Sequence, residues 1–196
     1  MPGTLSPDVY LRGDNGQLRQ TDGTNDAAVN GWLGGVVYGS TAASAAHTNT
    51  TTEALFDVQY SIPANTLVAG SVIKVRFQGI ATATNSTDTL TIKLYIGGLS
   101  GTAVLTGTAT DVADNNIFTG EALIQIRTAG ASGTLVAVAS GNIVPAATRV
   151  AVPVYQITAS TAIDTTAAQV IGVGADWSAQ SSSDSARLDI MVVEIY

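Results

Sequence analysis

Cysteine is absent from all 196 residues, which rules out disulfides and thiolate metal sites. Packing alone must hold the fold, and one domain of this length buries a core without staples. Charge is scarce as well, at 12% of residues against 45% hydrophobic. It leans acidic, with 15 Asp and Glu against eight Lys and Arg for a net charge of −7. A phosphate backbone needs a concentrated basic surface, so nucleic acid is not an expected ligand. No apolar run approaches the roughly 20 residues of a membrane helix, and no bilayer span is expected. The N-terminal stretch has neither a basic start nor an apolar core, so no secretory signal is expected. No segment carries a sustained apolar stripe of period 3.6, which predicts little helix.

What is present is small, apolar and β-favouring: Ala, Val and Thr are abundant, beside 20 Gly. So uncharged a surface predicts that other subunits cover much of it. The clearest strand pattern runs from Glu53 to Gly97. Phe56, Val58, Tyr60 and Ile62 alternate with Asp57, Gln59 and Ser61, and Ile73, Val75 and Phe77 alternate with Lys74, Arg76 and Gln78. Leu90, Ile92, Leu94 and Ile96 alternate with Thr91, Lys93 and Tyr95. Period two means one buried and one wet face. The wet faces hold three of the eight basic residues, Lys74, Arg76 and Lys93, as a candidate contact surface. Pro63 suits a strand exit and Gly70 a positive φ in the connection that follows.

Further strands are expected at 102–105 (short), 121–128, 133–140, 148–158, 168–175 and 187–196, with GTATDVADNNIFTG (107–120) as a crossing loop. Pro153 inside its run implies an edge or a bulge. Eight or nine strands at this spacing predict an all-β, two-sheet antiparallel jelly-roll sandwich at 51–196, with an immunoglobulin-like sandwich as the other reading. Residues 1–50 are polar and Gly-rich, with scattered anchors that include Tyr10, Trp32, Leu33 and Tyr38. Such a segment buries too little to fold alone. It is expected as an extended docking arm whose anchors enter a partner's groove, or else as a strand and loops folded back on the sandwich.

Chemistry-bearing constellations are few. His47 sits in a Thr- and Asn-rich loop with no second His or Cys, so neither a metal site nor a nucleophile–base pair is expected. Asp111 with Asp114, and Asp22 with Asp26, lack the spacing of a calcium loop and read as turns. Arg12-Gly13-Asp14 spells an adhesion tripeptide within a natural Asn15-Gly16 turn. The sequons at Asn49 and Asn85 have no secretory context. No cofactor is expected, and the chain is not expected to be an enzyme; a carbohydrate-active sandwich using Asp111 and Asp114 is the third reading.

The stretch FDVQYSIPANTLVAGSVIKVRFQG, followed by DTLTIKLYIGG, resembles a jelly-roll module of tailed-bacteriophage virion proteins, including head decoration (cement) proteins and fibre domains. The likeness covers residues 53–98 and extends loosely through ADWSAQSSSDSARLDIMVVEIY. It implies a homotrimer attached to the major capsid protein by its N-terminal segment, in a virion assembled in the host cytoplasm. The alternative it leaves open is a tail-fibre or receptor-binding module that recognises host glycan.

Overall fold

A computed structural model describes residues 8–11, 18–21, 26–28, 35–84, 87–144 and 154–196, and every element in it is a β-strand. Near the N-terminus β1 (Asp8–Leu11), β2 (Leu18–Thr21) and β3 (Asp26–Ala28) form a small antiparallel sheet of their own. The strands that follow are β4 (Gly35–Gly39), β5 (His47–Thr48), β6 (Ala54–Ile62), β7 (Val72–Thr82), β8 (Thr89–Ile96) and β9 (Thr102–Thr106). After them come β10 (Thr110–Asp111), β11 (Asn116–Thr128), β12 (Gly133–Val144), β13 (Val154–Ile163), β14 (Gln169–Trp177) and β15 (Ser185–Ile195).

They build two antiparallel sheets. The larger runs β13-β12-β11-β7-β15-β4, with β5 also on β15, and the smaller runs β10-β8-β14-β6, with β9 also on β8. Taking β4, β6, β7, β8, β9, β11, β14 and β15 as eight strands, one sheet holds the first, eighth, third and sixth. The other holds the second, seventh, fourth and fifth, which is the winding of a jelly roll. The β12–β13 hairpin widens the larger sheet. The expected fold class is therefore the observed one.

Period-two patterning explains which face each strand buries. On β7, Ile73, Val75, Phe77 and Ala81 are inside while Arg76 and Gln78 are exposed. On β8, Leu90, Ile92, Leu94 and Ile96 are inside, and on β6 Phe56 and Ile62. Phe56 of the smaller sheet stacks on Phe118 of the larger at 6.0 Å and 9°, tying the layers together. Burying each such ring stabilises by about 1.5–3 kcal/mol. Within the larger sheet, Phe77 lies opposite Gly120 and Phe118 opposite Gly79, so each ring covers a glycine of the next strand. Trp177 is 1% exposed and fills the core. Gly70 adopts φ 94 in the β6–β7 connection, as its place after Pro63 predicts.

Several strands differ from the sequence expectation. The consecutive strands β6, β7 and β8 exist but never pair with one another; β7 lies in one sheet and its neighbours in the other. The stretch expected as a crossing loop contains β10 and the start of β11, whose Asn116 and Phe118 are both fully buried. The strand expected at 148–158 is β13, set later along the chain, and Pro153 lies outside the described residues. Within the expected arm, β4 and β5 hydrogen-bond to β15 as the edge of the larger sheet.

Candidate interaction surfaces

The outer face of the larger sheet places two of the three cations singled out from the sequence. Cross-strand register sets Val36, Glu194, Lys74, Leu123 and Val138 in one row, and Val192, Arg76, Glu121 and Ser140 in the next. Lys74 Nζ lies 3.6 Å from Glu194 Oε2, and Arg76 Nε 3.8 Å from Glu121 Oε2. The Tyr196 hydroxyl donates to Glu194 Oε2 at 2.8 Å, and this bond, with Lys74 beside it, holds the Glu194 carboxyl below its usual range. The Arg76 pair is open to water and contributes at most about 1 kcal/mol. Its effect is to cancel charge within the face. Around these rows Val36, Ile117, Leu123, Val138 and Ile190 are exposed. A recess of about 360 Å³ opens beside Leu123 and Val138, with Lys74, Glu121 and Ser140 on its walls.

Lys93 is on the other side of the sandwich, on the outer face of the smaller sheet. Its Nζ donates to Glu53 Oε2 at 2.7 Å and to Asp176 Oδ2 at 3.3 Å, while the Tyr95 hydroxyl donates to Glu53 Oε1 at 2.5 Å. The glycines of β14 make room: a Cβ on Gly174 would lie 3.2 Å from Tyr95 Cε2, so the ring passes close over the strand. Burial first, then the bond to Glu53, pushes the Tyr95 phenol up to about 12. The Glu53 bond is also the main reason the Lys93 ammonium is held above its usual range. The three cations thus form no common patch, because β7 and β8 belong to opposite sheets.

Tyr38 stacks on Tyr60 at 5.4 Å and 26°, which joins the edge strands β4 and β6 along the seam of the sandwich. Tyr10 falls in β1, with its side chain outside the description, and Trp32 and Leu33 lie outside the described residues. So do Arg12-Gly13-Asp14 and Asp22. His47 pairs with Ala186; burial holds its imidazole below the usual pKa, against an opposing pull from Asp176. Asp114 Oδ1 accepts from Thr82 Oγ1 at 3.4 Å, and Asp111 lies in β10. Among the described residues no group of three or more His, Asp or Glu is placed to hold a metal ion. None of the helices required for a membrane span is present there either.

Two features were hidden in the sequence. The exposed aliphatics of the larger sheet sit in unbroken apolar runs, Ala122-Leu123-Ile124 and Ile190-Met191-Val192-Val193, and loss of alternation is the signal of a strand apolar on both faces. Buried Asp88 and Asp184 form a side-chain pair across two loops, with nothing in the local pattern to announce it. Burial, then Asp88, raises the Asp184 pKa. A second cavity of about 360 Å³ lies between the sheets, lined by Ile92, Leu105 and Ile143 with Thr110 and Asp111 among its polar walls.

No protein-family model matches the chain, and none of the curated proteins does. Solved structures that match include those of infectious bursal disease virus, Gt strain, at 13% identity and a TM-score of 0.33, and Gx strain, at 13% and 0.35. Each covers 96% of this chain, which spans only 41% and 36% of theirs. Likeness of that degree leaves function open.

Proposed function

We propose that the chain is a virion structural protein, a decoration or cement protein that binds the major capsid protein of a phage head as a homotrimer. The observation that supports this is the outer face of the larger sheet, where aliphatic side chains are exposed and the charges pair within the face. Such a face suits burial against other subunits. The role is mechanical: area shared among several coat subunits must be exposed all at once when the shell opens, and each 100 Å² of apolar surface covered adds about 2.5 kcal/mol of resistance. The attachment arm on this reading is the segment upstream of β4, with Tyr10, Trp32 and Leu33 as anchors. Labelling purified particles for this protein tests the proposal. Many copies spread over the head are expected, and label confined to the tail would sink it. That outcome would favour the second reading, a fibre module for host glycan, for which the cavity walled by Thr110 and Asp111 is the candidate site.

A further inference from the structure

We infer that the outer face of the larger sheet is where copies of this chain meet one another, an assignment that rests on the virion reading and names the first partner of its exposed face. Size supports it. The strands β12, β11, β7 and β15 are 12, 13, 11 and 11 residues long. Four strands spaced about 4.8 Å apart and rising about 3.3 Å per residue present roughly 700 Å². A homotrimer that closes this face on all three copies covers about 2,100 Å² in total, the scale of a permanent assembly.

Charge selects the occupant. The chain carries a net −7, so copies repel one another over most approaches. On this face, however, the ion-paired cations Lys74, Arg76 and Arg187 are matched one for one by Glu194, Glu121 and Asp189, with Arg127 at the rim. The face is therefore close to neutral on an acidic protein. A strongly charged partner finds no surplus of opposite charge here, whereas a second copy meets none of the repulsion it meets elsewhere. Relief supports the same occupant: Ile190 stands exposed on the row next to the recess beside Leu123 and Val138, and Ile117 one row beyond it, so the face offers both projecting side chains and a hollow to receive one. An aliphatic centre with few unpaired charges is the composition of a buried interface core.

The test is the mass of the purified full chain in solution, by light scattering after size exclusion, for wild type, Leu123→Glu, Ile190→Glu and Ser61→Glu. Ser61 is exposed on β6 of the other sheet and serves as the control. Wild type and Ser61→Glu are expected to be oligomers. Either glutamate on the larger sheet should weaken association by roughly a hundredfold, since it strands a charge in the contact. Circular dichroism and melting identify any variant that fails to fold, and Val138→Lys then serves in its place. A monomeric wild type, or folded face variants that keep the wild-type mass, overturns the inference. Co-sedimentation with capsids separates this from the virion reading. Variants that stay oligomeric but lose capsid binding overturn the self-contact and leave the virion role intact. Variants that become monomers, in a protein that labelled particles lack, uphold the self-contact and remove the virion role.

Discussion

Replacing Gly79 by alanine puts a methyl group where two neighbours already are. The new Cβ would lie 2.1 Å from Phe118 Cζ and 2.2 Å from the carbonyl oxygen of Arg187 on β15. Neither Gly79 nor Gly120 has a positive φ, so alanine fits the backbone at both, and stiffening the unfolded chain would by itself favour it by about 0.4–1 kcal/mol. The collision reverses that sign. At Gly120 the three atoms nearest the Cβ all belong to the ring of Phe77, 2.2 Å away at Cζ, and a side chain can tilt. Overpacking of this kind costs about 1–3 kcal/mol, so Gly120→Ala should lose about 1–2 kcal/mol net. At Gly79 the carbonyl cannot rotate away without parting β7 from β15, and the loss should exceed about 3 kcal/mol. Urea unfolding at fixed protein concentration, followed by the fluorescence of buried Trp177, reads both. Companion variants sharpen the test. Phe77→Leu should rescue much of the Gly120→Ala loss, whereas Phe118→Leu should rescue little of the Gly79→Ala loss because the Arg187 carbonyl remains. Wild-type stability in Gly79→Ala, or full rescue by Phe118→Leu, would refute the claim that backbone approach sets this position.

Tyr95→Phe removes the hydroxyl that donates to Glu53 and should cost about 1–2 kcal/mol, read as a fall in melting temperature. Since the folded-state pKa of Tyr95 is raised from 10.0 to about 12, its contribution is intact below pH 10 and fades as the pH climbs through about 12. The Phe variant should lack that alkaline component. For Asp184 the raised folded-state pKa means that the native state holds its proton longer than the unfolded chain, so stability declines as the pH rises above the ordinary carboxylate value of 3.8. Asp184→Asn should therefore melt higher than wild type at pH 7, with the gap closing toward pH 4; a variant less stable at pH 7 would contradict this.

Strand identity was legible wherever one face of a strand is wet. Phe56 to Ile62, Ile73 to Phe77 and Leu90 to Ile96 show period two because solvent lies on one side of each, and all three are strands. Sheet membership was not legible, because alternation marks a buried face without marking which layer owns it. Lys93 therefore read as a neighbour of Lys74 and Arg76 although the core lies between them. The start of β11 was masked by turn-forming Asp114, Asn115 and Asn116, of which Asn115 does turn the chain at φ 58 and Asn116 opens the strand. β4 was obscured for a different reason: it is five residues long, and at a sheet edge only one partner supports it. Leu123, Val138 and Ile190 escaped attention because apolar residues in a strand suggest core, and only register tells which of them face out. The Glu53–Lys93–Tyr95–Asp176 cluster joins residues far apart in the chain, a closeness that only the folded topology creates.

The positions of β14 and β15 bear on how the protein can be made. β14 pairs with both β6 and β8, and β15 with both β4 and β7, so each sheet receives an interior strand from the later part of the chain. While the ribosome is still upstream of Gln169, β4, β6, β7 and β8 have already emerged with their inner edges bare. Unpaired edges of that kind recruit strands from other chains. Translation speed and chaperone supply during that interval should therefore govern the yield of folded protein, and a chain stalled there should aggregate while the stretch already made carries most of the core.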